Sequence, residues 1–187
     1  MKKNNLKNIK ILVFAAMMIA MNIVLSRVLA IPVGPTLRIT FSQVPIYLCG
    51  FWFGPLMGGI AGFLGDLIGS LIQGYAPNPF ISVSAILTGV LPALLKHYVF
   101  HDKINWWKVA IMLALNGIIG SLGFTTLGLH LYYGTPWSVL YATRPIQTIL
   151  LTVTNTILVT LLYKSVLTTF IHQNILNTQT VAVRKKQ

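Results

Sequence analysis

Apolar residues run along this chain in blocks too long for the core of a soluble domain, separated by short polar interruptions. A hydrocarbon core ~30 Å thick is crossed by a helix of ~20 apolar residues. The blocks at about 9–31, 42–54, 55–73, 81–100, 108–132 and 143–171 therefore predict six membrane-spanning helices in one integral domain, 1–187. No linker or low-complexity tract interrupts them, so the expected fold class is an all-α membrane bundle. The second block is too short to cross alone unless it is tilted or broken. Pro45 stands near its start and Gly54-Pro55 closes it. Short or Gly/Pro-interrupted spans are where transporters tend to place substrate sites, because freed backbone groups must face a cavity rather than lipid. The opening KKNNLKNIK and the apolar run behind it have the outline of a signal peptide. The run extends to Pro32 and five more spans follow, which favours a retained signal-anchor helix.

Composition agrees with the pattern. Hydrophobic residues make up 55% of the chain and charged residues only 9%, against roughly a quarter in soluble domains. Fourteen Lys and Arg face two acids, Asp66 and Asp102. A nucleic-acid partner would need an exposed basic face, whereas here the cations lie between apolar blocks, so the expected surroundings are a lipid bilayer. The single cysteine, Cys49, excludes an internal disulfide, a four-Cys zinc site and a CxxC pair, and no metal is expected. His97 and His101 share i,i+4 spacing without the Glu that HExxH requires, and Cys49 has no evident base, so an enzyme is not expected. The chain lacks GxxxxGK[ST], so no nucleotide cofactor is expected in it.

The cations are sorted by type. Lys2, Lys3, Lys7 and Lys10 precede the first span, Lys96, Lys103 and Lys108 flank the fourth loop, and Lys164, Arg184, Lys185 and Lys186 lie at or beyond the end of the sixth span. With six crossings these regions share one side, and the positive-inside rule makes both termini cytoplasmic. Trp106 and Trp107 fit an aromatic belt at that face. The opposite loops contain no lysine, but towards them lie Arg27, Arg38 and Arg144, three of the four arginines. Arginine is a planar fork suited to carboxylate or phosphate, and inside a span it usually faces a cavity or partner. One reading has these arginines snorkel to outer headgroups. The favoured one has them hold an anionic ligand, because no acid lies nearby to neutralise all three.

Small residues mark helix contacts. Gly58/Gly62 and Gly65/Gly69 form small-xxx-small pairs in the third span, as do Ala16/Ala20 in the first, with Ala15 beside them. Close backbone approach through such residues is how helices associate in lipid. The third-span strip reads as packing within the chain; the Ala16/Ala20 strip either packs or meets another subunit.

The block LRITFSQVPIYLCGFWFGPLMGGIAGFLGDLIGSLIQGYAPNPFISVSAILTGVLP (37–92) resembles the substrate-binding S components of energy-coupling factor (ECF) vitamin transporters. It combines an outer-loop arginine, a short Pro-containing helix, Gly-Pro, a Gly-rich helix with Asp-Leu-Ile-Gly, and a Tyr/Pro loop. The arrangement looks most like the folate-specific branch and extends over about 12–170. The loop departs from the family's Tyr-x-Pro-Gly-Phe-Thr-Leu, reading Tyr75-Ala-Pro77-Asn-Pro79-Phe80-Ile-Ser82. The resemblance implies a six-helix subunit of a bacterial plasma membrane that captures a vitamin from outside. It also implies a transmembrane coupling subunit, reached through Ala16 and Ala20, and two cytoplasmic ATPase subunits that carry the ATP. For folate, Arg27, Arg38 and Arg144 become candidates for the glutamate carboxylates. Tyr75, Phe80, Trp137 and Tyr141 become candidate walls for the rings, or interfacial belt residues. Gln43, Asp66, Ser82, Ser84 and Asn155 are candidates for the pterin edge; Asp66 and Asn155 serve equally as interhelical hydrogen-bonding groups. A sister vitamin (thiamine, pantothenate or riboflavin) and a self-contained secondary transporter using Asp66 are the alternatives.

Overall fold

The structure, a computed structural model, describes residues 9–27, 31–33, 37–74, 76–101 and 104–164. The first helix, α1 (Ile9–Arg27), leads into an antiparallel ribbon of β1 (Ile31–Val33) and β2 (Leu37–Ile39), with Ile31 opposite Ile39. This ribbon is a local exception to the all-helical expectation. Its β-branched Ile31, Val33 and Ile39 favour extended backbone, and an isolated two-stranded edge tolerates Pro32.

The short second span is α2 (Gln43–Phe53), whose 11 residues extend about 16 Å at 1.5 Å per residue. It is enclosed on every side from Val44 to Phe53, which is why its sequence is apolar all round. Pro45 falls in the first turn, where its missing N–H leaves no intrahelical bond unmade. Gly54 takes φ +94°, and Pro55 opens α3 (Pro55–Ile72). Next comes α4 (Pro79–Leu94), N-capped by Asn78 Oδ1 accepting from the Phe80 N–H, and it runs on into a π-helical turn over Leu95–Val99. A rod from Trp106 to Tyr133 follows: α5 (Trp106–Asn116), a π-helical stretch Gly117–Thr125, and α6 (Thr126–Tyr133). The last helix is α7 (Trp137–Lys164). Among the described residues five helices are long and apolar enough to cross a membrane; the enclosed α2, at 11 residues, is not one of them. α7 begins well before residue 143 because Ser138, Thr143 and Arg144 lower the hydropathy of its first turns without breaking the helix. Residues 165–171, expected in the same span, lie outside the described residues.

Glycines set the central packing. A Cβ placed on Gly58 would lie 2.7 Å from Gly50 Cα and 2.9 Å from the Gly89 carbonyl carbon, so α2, α3 and α4 meet backbone to backbone. Gly62 likewise abuts the Ala85 backbone, and Gly65 abuts the Asn22 side chain of α1. The small-residue strip of α3 thus packs within the chain. On α1 the three alanines divide. Ala15 joins Ile11 and Met18 in the core, whereas Ala16 and Ala20 are exposed beside Val13, Met17 and Met21. At the α2 C-terminus the Lys96 ammonium donates to the Phe51 carbonyl (2.6 Å) and sits over the rings of Phe51 and Tyr163. Away from that end, Gln43 at the start of α2 meets Asn155 in the middle of α7, and the ribbon strand β2 lies against α7.

Candidate functional site

A cavity of about 160 Å³ opens between α2, α4, the π-helical stretch and α7. Polar residues reach it by recurring at helical spacing inside otherwise apolar helices: Gln43 and Tyr47, Ser84 and Thr88, Thr148 and Thr152 followed by Asn155. The π-helical stretch closes its bonds at i→i+5, so Gly117, Ser121 and Thr125, spaced by four, line the same wall. Leu113 and Leu151 supply apolar surface.

The lining side chains are tied together. Asn116 Nδ2 donates to the Tyr47 hydroxyl (3.0 Å) and to Thr88 Oγ1 (3.3 Å). Tyr47 donates to Gln43 Oε1 (3.2 Å), which also accepts from Asn155 Nδ2 (3.2 Å). Thr125 Oγ1 donates to Ser84 Oγ (2.9 Å), and the Ser121 and Thr148 hydroxyls pair at 3.0 Å. Among the described lining residues Arg144 is the sole charged one, and none is Asp, Glu, His or Cys. Such a surface binds through hydrogen bonds and one cation; it assembles no nucleophile with a base.

The structure brings Gln43, Ser84, Arg144 and Asn155 together around this cavity. It does not bring Asp66, Ser82, Phe80, Trp137 or Tyr141 to it. Ser82 Oγ donates to Asp66 Oδ2 at 2.7 Å, tying α4 to α3 as an interhelical bond. Phe80 meets the Tyr132 ring edge-on at 6.2 Å. Trp137 stacks on Tyr141 with centroids 5.6 Å apart and also faces His130. Tyr141 is 69% exposed, so this stack lies on the outside of the bundle. The side chains of Arg27 and Arg38, and the whole of Tyr75, lie outside the described residues. By backbone, Arg27 ends α1 and Arg38 sits in β2, the strand lying against α7.

Sequence reasoning missed Tyr47, Thr88 and Asn116. Asn116 carried a readable signal, since an amide inside an apolar span must find partners or line a cavity. The i,i+4 recurrence of polar residues on α4 and α7 was a second.

The family model described as ECF-type riboflavin transporter, S component, matches residues 6–168. The chain is similar to the folate transporter FolT of Clostridium novyi (strain NT), with 29% identity over 147 residues, 76% of this chain and 81% of that protein. The folate transporter FolT of Leuconostoc mesenteroides is 32% identical over 126 residues, 66% of this chain and 65% of that protein. Among solved structures, the crystal structure of FolT bound with folic acid superimposes with a TM-score of 0.64 at 26% identity, covering 78% of this chain and 87% of that one.

Proposed function

The chain belongs to the S-component family of ECF-type riboflavin transporters, and from that premise we propose that it captures folate and passes it to an ATP-driven coupling module. A member of this family is a membrane transport subunit, not an enzyme. The observation that carries the folate reading is Arg144, a cation in a cavity lining that offers it no carboxylate. Folate brings a glutamate tail with two carboxylates, whereas riboflavin brings a neutral ribityl chain. The similarity to FolT, including its folic-acid complex, supports the same choice. Arg144 takes one carboxylate. Arg38, on the strand against α7, and Arg27, at the end of α1, are assigned to the other.

Titrating the purified protein with folate, riboflavin, thiamine and pantothenate tests this reading. Folate is expected to bind tightest; binding of riboflavin in preference to folate would overturn the substrate and leave the family assignment standing.

The partners are a transmembrane coupling subunit and two cytoplasmic ATPases, in a bacterial plasma membrane with both termini cytoplasmic. Lys10, Lys96, Lys108 and Lys164, all at or near helix ends, support that orientation. Ala16 and Ala20 are the contact with the coupling subunit, and their exposure on α1 supports it. Ala16→Trp and Ala20→Trp are expected to abolish uptake by the complete transporter while leaving folate affinity of the isolated subunit unchanged. A parallel loss of binding and uptake would return the strip to internal packing.

A further inference from the structure

The entry turn of α2 is short of bonds of its own. Ser42, its N-cap, makes no side-chain cap, and Pro45 has no N–H to return to the Phe41 carbonyl, which accepts from Val44 at 3.1 Å instead. The Ser42 N–H donates to Thr40 Oγ1 at 3.1 Å, and the Ser42 carbonyl is held from another helix. Asn22, buried on α1, donates to it from Nδ2 at 2.6 Å. Gly65 of α3 makes the room, since a Cβ there would stand 2.5 Å from Asn22 Oδ1. Three helices meet at this one amide.

The Ser42 carbonyl belongs to the peptide that joins Ser42 to Gln43. A peptide unit is planar, so holding its oxygen fixes the direction in which the Gln43 Cα leaves it. Gln43 Oε1 accepts from both Tyr47 and Asn155, at 3.2 Å each, and so joins the α2 and α7 walls of the cavity. Asn22 is not among the described lining residues. Helices in lipid lack a hydrophobic drive to associate, so directional bonds and close packing set the register of α1 against α2.

We infer that Asn22 is a positioning residue for the ligand site: by holding the Ser42–Gln43 peptide it places the Gln43 side chain where the α2 and α7 walls join. Ligand affinity then depends on a residue that does not face the ligand. The inference rests on the reading that this cavity takes the ligand, and it adds to the site a buried amide outside the cavity.

Calorimetric titration of the full chain with folate compares wild type, Asn22→Leu and Gly65→Ala. Leucine keeps the bulk of the amide and removes the donor. Alanine at position 65 keeps Asn22 but drives its amide off the Ser42 carbonyl. Both variants are expected to bind folate at least about tenfold more weakly, the size of one lost buried hydrogen bond. A bond that only holds helices together would lower the unfolding midpoint and leave affinity within about threefold, which overturns the inference. In a Gln43→Ala background, Asn22→Leu should cost less than about threefold further, because the side chain being placed is gone. In a Thr148→Val background it should keep its full effect, since the Thr148 hydroxyl pairs with Ser121. Equal losses in the two backgrounds also overturn the inference. Gly65→Ala adds a single methyl, so it decides the matter if Asn22→Leu fails to fold. Wild-type protein that binds riboflavin and not folate sinks the substrate reading alone, and the same comparison made with riboflavin then decides this inference.

Discussion

Arg144→Ala is expected to weaken folate binding by between roughly thirtyfold and several thousandfold. This corresponds to about 2–5 kcal/mol for truncating one partner of a desolvated charge pair. The size follows from the surroundings. Among the described lining residues, otherwise amides, hydroxyls, leucines and a glycine, Arg144 is the only charge, and none of the others substitutes for it. Arg144→Lys keeps the charge but loses the planar fork, and should recover only part of the affinity. Titration of both variants against the wild-type protein measures this. Affinity of the alanine variant within about threefold of wild type would remove Arg144 from the site.

Gly89→Val is expected to produce the largest loss of stability. A Cβ at position 89 runs into the Gly58 backbone, and the partner atoms are main chain, which has no rotamer to offer in relief. Overpacking a tight site costs about 3 kcal/mol at the upper end of the usual range. For a chain of this size that lowers the thermal midpoint by about 6–12 °C. Gly123→Ala is the control, since its Cβ would meet only the Ile118 carbonyl at an ordinary 3.7 Å. Thermal unfolding of the detergent-solubilised protein reads both. Equal midpoints for Gly89→Val and wild type would mean that α3 and α4 are free to separate and that the glycine contact does not hold the bundle.

The helical framework was legible because membrane spans announce themselves by length and apolarity alone. Gly54-Pro55 marked the break between α2 and α3 for a local reason: a positive φ followed by a residue suited to the first helical turn. The ribbon after α1 was not legible, since three-residue strands fall below any periodic signal. The start of α7 was displaced because hydropathy measures lipid contact, and the Arg144 face of that helix looks into a cavity.

The site divided along a similar line. Gln43, Ser84, Arg144 and Asn155 were readable as polar groups that a span must hide or use. Phe80, Trp137 and Tyr141 stand near helix ends, and a linear sequence does not say which way a ring turns. Tyr47 escaped because a phenol inside an apolar run reads as bulk, although its hydroxyl joins two helices through Gln43 and Asn116.

The brevity of α2 has a further bearing on selectivity. A helix that starts at Gln43 rather than a few turns earlier leaves headroom above its first residue, and that headroom is where Thr40, Gln43 and Arg144 frame the chamber. One extra turn adds 5.4 Å of solid rod, enough to fill much of it. The point at which α2 begins therefore sets the space left between Thr40, Gln43 and Arg144.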